Sequence, residues 1–592
     1  METTWDFSLL EKGKSFAEKR KEWKKVAADF VKKWKGRKDY LEKPSVMREA
    51  LDDYEKLCGD YDGNTEEYSY YWLKTRLDEN DPELKAKFLK VDSFSKEIEN
   101  DTSFFVLGIS KIPREKQKSF LEFGELSDYR HFLERIFENA KHYLSENEEK
   151  IMNLKSTSSY SSWVKMVSGF LAKEEAIVPD ESGKKSKRNF SEITNLLRSG
   201  NKEVRDSAAK EFNKILEKYS DTAEAEINAI LNDKKVNDEL RGFKRPDKAR
   251  HVADDIDSEV VDSLVKAVSE NFHISKRFYE LKAKLLGLKK LEYHERNVSY
   301  GNSDRKYSYH DSFEIVYKVF KDLDAEFAEI FRRFNENGQI DVFPKKGKSD
   351  GAFCTYFHNT SPVFVMLNHA DTLHDVGTIA HEMGHAINFE LMKKQNSLNF
   401  GTPLSTAEVA STFMEDFVNK ELAKHAEDES RLSLMMEKLN EEVSTIMRQV
   451  ACYEFEQEMH KEFREKGYLS KNEIGKIFQK HMKDYMGDFV EQSGGSENWW
   501  VYWGHIRTFF YVYSYASGLL ISKSLQRMVK SDSKNISKVK NFLSAGLSKS
   551  PKEIFMELGI DITRKEFWSE GLKEMEDLLN ETESLAKELG KI

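Results

Sequence analysis

Proline is missing from most of this chain. Only nine of 592 residues are proline, and none falls between Pro113 and Pro179, between Pro246 and Pro344, or between Pro403 and Pro551. A proline inside a helix removes a hydrogen bond and clashes with the preceding turn, so stretches of this length without one favour helices. The chain is therefore expected to be mainly α. The apolar pattern agrees. Between Leu126 and Leu154, Tyr129, Phe132, Leu133, Ile136, Phe137, Ala140, Tyr143 and Leu144 recur at steps of three and four. That spacing puts them on one face and predicts a core-facing amphipathic helix. Residues 204–231 and 260–286 carry the same period.

Length sets the next constraint, because 592 residues exceed what one hydrophobic core usually organises. The polar segment PDESGKKSKRN, Pro179–Asn189, reads as a lobe junction or an exposed loop. It divides the chain into an N-terminal helical lobe, 1–190, and a second domain, 191–592. No run of eighteen apolar residues is present, so a membrane partner is not expected. The most apolar long stretch, Gly504–Ser522, is interrupted by His505, Arg507 and several tyrosines and serines, and reads as a buried or cleft-lining helix. The 94 lysines and arginines are outnumbered by 104 acidic residues, with no basic block to neutralise a phosphate backbone. Nucleic acid is thereby excluded as an expected partner. Three scattered cysteines, Cys58, Cys354 and Cys452, make no CxxC pair, and the N-terminal METTWDFSLLEKGKSF shows no signal-peptide pattern. Both point to a reducing cytoplasm.

The texture changes once, between Gln339 and Leu367. There IDVFP, GAFCTYF and SPVFVML alternate with turn-rich KKGKSDG, which predicts a small antiparallel sheet. Directly after it comes TIAHEMGHAINFELM, in which His381, Glu382 and His385 form an HExxH pattern. Four residues advance a helix by about 400°, so the two imidazoles stand one turn apart and can share a metal ion. Glu382, beside them, can take a proton from a water that zinc has made acidic. A catalytic zinc usually has a third protein ligand. The residues that follow His385, AINFELMKK, supply no third histidine. The next helix, starting near Leu404 as PLSTAEVASTFMEDF, offers Glu408, Glu415 and Asp416. Glu408 also completes an S-x-x-E capping box with Ser405. Glu415, two turns on, fits a ligand or an outer supporting role. Asp375, Ser411 and Thr412 are further candidates to orient a ligand, whereas His358, His369 and His374 lack ligand spacing.

Four ordered motifs, GAFCTYF, DVGTIAHEMGHAINFE, PLSTAEVASTFMEDF and GHIRTFFYVYSYASG, resemble oligoendopeptidase F, in the thimet oligopeptidase group of zinc metallopeptidases. The similarity reaches back to about Leu126. This resemblance implies that Glu408 is the third zinc ligand. It implies a large helical body with a deep substrate channel and one small sheet beside the zinc-binding helix. Gly351 and Ala352 are similar to the edge strand that pairs with substrate in such enzymes, and Tyr515, one turn beyond Tyr511 on the same face, is a further candidate for substrate binding. It further implies that tyrosine and histidine stabilise the oxyanion, with Tyr513 matching first, Tyr511 beside it, and His505 as a carbonyl or substrate contact. Family members often have a histidine where this chain has Asn388. The implied activity is hydrolysis of internal bonds in short unstructured peptides, with Zn2+ as cofactor and Glu382 as general base.

Overall fold

The computed structural model describes residues 2–11, 13–61, 66–301 and 306–592. Helices hold 71% of the residues and strands 4%, so the expectation drawn from proline holds. No helix among the described residues is long and apolar enough to cross a membrane.

The chain gathers into two compact units, each made of three segments. The first comprises Met1–Lys141, Asp304–Leu422 and Met528–Ile560. One apolar cluster there joins the N-terminal helices through Trp23, Trp34, Tyr40, Phe105 and Phe120. A second, with Trp5, Leu10, Leu73, Phe357, Phe364 and Met366, backs a three-stranded sheet. In that sheet Phe364–Met366 is central. It pairs antiparallel with Phe353–Thr355 and parallel with Ile340–Asp341. The sheet is thus mixed rather than antiparallel throughout. Pro344 and the KKGKSDG loop carry the chain out beyond the central position, which the third strand then fills. Lys348 pins that excursion from a buried site. Its ammonium pairs with Asp341 at 2.6 Å and donates to the carbonyls of Phe343 and Leu367 at 2.9 and 2.6 Å. Phe353–Thr355 is left as an edge strand.

The second unit comprises His142–Ser303, Ala423–Arg527 and Asp561–Ile592. Its longest element is the 39-residue helix Lys202–Leu240. Val204, Ala208, Phe212, Leu216, Ile227 and Leu231 bury one stripe along it, as the period predicts. Residues 260–286 instead form two helices, Ser258–Ser269 and His273–Leu285, broken at Glu270–Phe272. The run from Leu126 to Leu154 is also broken. It forms a 3-10 turn to Tyr129, a helix Arg130–Ala140, and a new helix from Glu146. Ser145 and Glu148 form a capping box at that restart, which fixes the break in spite of the continuing apolar spacing. Pro179–Asn189 is not a loop throughout, since Glu175–Pro179 and Lys185–Asn189 make an antiparallel hairpin. Asp180 closes its turn by accepting from the Ser182 and Lys184 amides at 3.0 and 3.1 Å, and Gly183 supplies the left-handed backbone, φ 78°.

Candidate metal centre and active site

The HExxH motif lies on the helix Leu373–Met392. Thr372 and Asp375 form its capping box, so Asp375 is spent on the helix start rather than on an imidazole. One turn separates His381 and His385, whose ring centroids are 5.1 Å apart. Between them Gly384 has a packing task. A Cβ there would stand 2.6 Å from the Ala410 carbonyl oxygen and 2.6 Å from Ser411 Cα. The absent side chain lets the chain at Ala410 and Ser411 approach the motif helix, and Glu408 arrives with it. Glu408 precedes the helix Val409–Lys424, after a 3-10 turn Leu404–Thr406.

Glu408 Oε2 is 3.4 Å from His381 Nε2 and 3.4 Å from His385 Nε2. Tetrahedral zinc with ligands at ~2.0–2.1 Å needs donor atoms about 3.3 Å apart, so this donor set fits the ion. All three ligand atoms lie within 4.8 Å of one another. Among the described residues no lysine or arginine pairs with Glu408. Two other clusters have metal-like composition. In one, Lys202 and Arg205 already neutralise Asp206 and Glu295. In the other, Arg130 pairs with Glu134, and Glu553 caps its own helix through Ser550.

Charge at the centre favours a cation. Burial works against a charged His381, but the hydrogen bonds it donates to Glu408 and Glu415 outweigh it and push the imidazole up to about 10. Burial likewise works against a charged Glu408, and the two histidines reverse this and hold its carboxyl far below the usual range. Glu415 Oε2 meets His381 Nδ1 at 2.9 Å, which leaves Nε2 directed at the centre. Ser411 Oγ donates to Glu408 Oε2 at 2.9 Å, and Thr412 Oγ1 to the Glu408 carbonyl at 2.6 Å. Glu382 is buried, and desolvation raises its carboxyl against the pull of both histidines and the Cys354 N–H. A carboxyl raised by burial holds a proton more readily than an exposed one, which is the direction a proton-transferring group needs.

The other histidines near the motif are not part of this donor set. His358 bonds Thr360 and Ser361, His369 bonds the Tyr307 carbonyl at 3.0 Å, and His374 is exposed. Asn388 is buried and donates to the Leu543 carbonyl at 2.6 Å, a structural use of that position. Gly351 and Ala352 lie in the turn that leads into the edge strand. Gly351 has φ 77°, and a Cβ there would meet open space. Its glycine is required by the backbone angle rather than by a close neighbour.

His505, Tyr511, Tyr513 and Tyr515 belong to the second unit. The stretch Gly504–Ser522 is helical only from Tyr513; before it come a 3-10 turn, Gly504–Arg507, and an irregular passage. Arg507 ties this segment down from inside. Its guanidinium donates to both Glu226 oxygens at 2.9 and 2.7 Å and to the carbonyls of Trp500, Val501 and Trp503. The half-buried tips of His505, Tyr511 and Tyr515 meet there. His505 Nδ1 contacts the Tyr511 hydroxyl, and the Tyr515 hydroxyl is 3.5 Å from it. Burial, with Arg448, lowers His505; burial, with Tyr515, raises Tyr511. Tyr513 differs from these three, because it has no exposed surface and its hydroxyl donates to Asp254 at 2.8 Å. The sequence offered no signal for the Arg507–Glu226 and Tyr513–Asp254 pairs, whose members lie 281 and 259 residues apart.

Comparison with known proteins adds the lineage. Residues 195–574 match peptidase family M3, and residues 109–167 match oligopeptidase F. The chain is 26% identical over 528 residues to the oligopeptidase PepF of Bacillus subtilis (strain 168), which covers 88% of this chain and 78% of the relative. It is 26% identical over 573 residues to an oligoendopeptidase F homolog of Borreliella burgdorferi, covering 95% and 94%. A Chlamydophila abortus crystal structure superposes with a TM-score of 0.86 at 21% identity, over 98% of each chain. The oligoendopeptidase-F structure from Enterococcus faecium gives 0.71 at 20%, over 97% of this chain and 99% of that one.

Proposed function

We propose, from the premise that this chain belongs to peptidase family M3, that it is a zinc-dependent endopeptidase cutting internal bonds of short, unstructured peptides. The observation that carries the reading is Glu408 Oε2 at 3.4 Å from Nε2 of both motif histidines, with buried Glu382 adjacent in the sequence. His381, His385 and Glu408 would hold the ion, and Glu415 keeps His381 turned toward it. When bound, zinc would acidify water and polarise the peptide carbonyl.

The remaining work belongs to side chains and backbone. Glu382 takes the proton of the attacking water and delivers it to the leaving amine, a role suited to a carboxyl raised by burial. The edge strand Phe353–Thr355 has an unpaired side, and pairing there would hold an extended peptide by its backbone, with Gly351 and Ala352 at the strand's entrance. His505 and Tyr511 are assigned to the oxyanion on the family pattern, and Tyr515 to substrate contact. Tyr511 replaces Tyr513 as first choice, because the Tyr513 hydroxyl is buried on Asp254. A reducing cytoplasm suits the three scattered cysteines.

Relatives named oligopeptidase and oligoendopeptidase support short substrates and internal cleavage. Peptides of about ten residues, blocked at both ends, test this directly by mass spectrometry of the products. Interior cleavage is expected. Products released only from peptides with a free terminus would make the enzyme an exopeptidase of similar fold.

A further inference from the structure

Between the 3-10 turn Gly504–Arg507 and the helix Tyr513–Ser531, two consecutive aromatic residues adopt left-handed backbone. Phe509 has φ 48° and Phe510 φ 59°. That region is disfavoured for bulky L residues, and two in succession persist only where surrounding structure holds them. The helix Arg448–Lys466 provides the hold. The Phe510 N–H donates to Glu456 Oε2, and both phenylalanine rings pack on His460, with centroids 4.9 and 4.6 Å away.

Glu456 is an expensive residue in this position. It has no exposed surface, and among the described residues no cation pairs with it. Its other hydrogen bond is a long one from the Cys452 thiol, 3.9 Å. Burial pushes the carboxyl up to about 8 against the pull of the Phe510 N–H and Cys452. Leucine or methionine would fill the same volume without the desolvation cost. What an apolar side chain could not do is accept the Phe510 N–H. The next residue is Tyr511, whose hydroxyl meets His505.

We propose that Glu456 is a positioning residue: by accepting the Phe510 N–H it holds the paired left-handed turn and thereby fixes the Tyr511 hydroxyl against His505. The proposal rests on the reading of Tyr511 as a donor to the reacting carbonyl. It predicts an effect on kcat rather than KM, because a donor to developing charge acts in the transition state.

The test is a double-mutant cycle on the zinc-loaded full chain, with a blocked quenched peptide as substrate. Glu456→Met should lower kcat about 10-fold, with KM within about twofold and zinc content unchanged. Glu456→Gln, which keeps an acceptor oxygen, should restore most of the rate. In a Tyr511→Phe background, Glu456→Met should cost less than about twofold, because its effect passes through the hydroxyl already removed. If Glu456→Met does not fold, Glu456→Asp replaces it. The shorter side chain keeps the carboxyl group, loses the reach, and should show the same dependence on Tyr511.

Equal losses in the methionine and glutamine variants, or a full loss in the Tyr511→Phe background, would overturn the proposal while leaving Tyr511 in place. Normal turnover by Tyr511→Phe alone would instead remove Tyr511 from the reaction, and the proposal with it.

Discussion

The candidate metal centre and the tyrosine-bearing segment of the second unit are held by opposite means. In the first, His381 and His385 stand one turn apart on a regular helix, and Glu408, just before the next helix, is brought in by the close approach at Gly384. The second is irregular backbone with two left-handed phenylalanines leading into a helix, held by carboxylates from outside the segment: Glu226 on Arg507, Glu456 on Phe510 and Asp254 on Tyr513. Local geometry makes a site whose histidines are set by helix spacing alone. Long-range anchoring makes one that depends on residues with no chemistry of their own.

The largest effect is expected on the helical side. Glu382→Gln keeps the shape of the side chain and abolishes proton acceptance, so kcat should fall about 10²-fold or more while zinc is retained. Turnover assays with parallel metal analysis check this, and near-normal turnover would break the assignment. Tyr511→Phe should come next. Loss of one donor to an oxyanion typically costs about 10²-fold in kcat. Tyr513→Phe should leave kcat within twofold and lower stability by about 1 kcal/mol, because it removes a buried hydrogen bond to Asp254. The reverse ranking of these two tyrosines in steady-state kinetics would return the role to Tyr513.

Metal affinity sharpens the contrast further. Glu408→Ala should lose zinc on dialysis, whereas Glu415→Ala should weaken it about 10-fold, as expected for an outer hydrogen-bond partner. Gly384→Ala should also weaken it, since the new Cβ displaces the chain at Ala410 and Ser411, which carries Glu408. Equal zinc retention by the two glutamate variants would show that the third ligand is misassigned.

The smallest effect concerns the second unit's buried ionic network. Burial would raise Asp247, but Arg245, His251 and Tyr453 outweigh it and hold the carboxyl down at about 2, from 3.8. A carboxyl with a depressed folded value adds stability that is present above about 4 and lost as pH falls toward 2. About 2 kcal/mol should disappear over that window, and Asp247→Asn should flatten the loss in thermal melts.

The same contrast explains which parts of the molecule are legible in its sequence. Proline scarcity gave the mainly α fold, and helical spacing gave His381, Glu382 and His385, because i and i+4 are neighbours in any helix. The third ligand was reducible to Glu408, Glu415 and Asp416, but the spacing alone could not choose, since the choice depends on how closely Gly384 lets the next segment approach. The break at Ser145 carries a Ser-x-x-Glu signature, but the apolar period runs on past it and reads as one helix. The hairpin Glu175–Asn189 was hidden because its second strand, Lys185–Asn189, is wholly polar. Nothing in the string GHIRTFFYVYSYASG announces left-handed phenylalanines. Their support comes from Glu456, a charged residue that a burial pattern would place on the surface.

The central claim is that this peptidase works through one zinc ion held by His381, His385 and Glu408. The most direct measurement is a titration of chelator-stripped protein with zinc, following peptide hydrolysis and bound metal together. The account predicts no hydrolysis without metal and full recovery at one equivalent. Hydrolysis at the original rate by the stripped protein would contradict it.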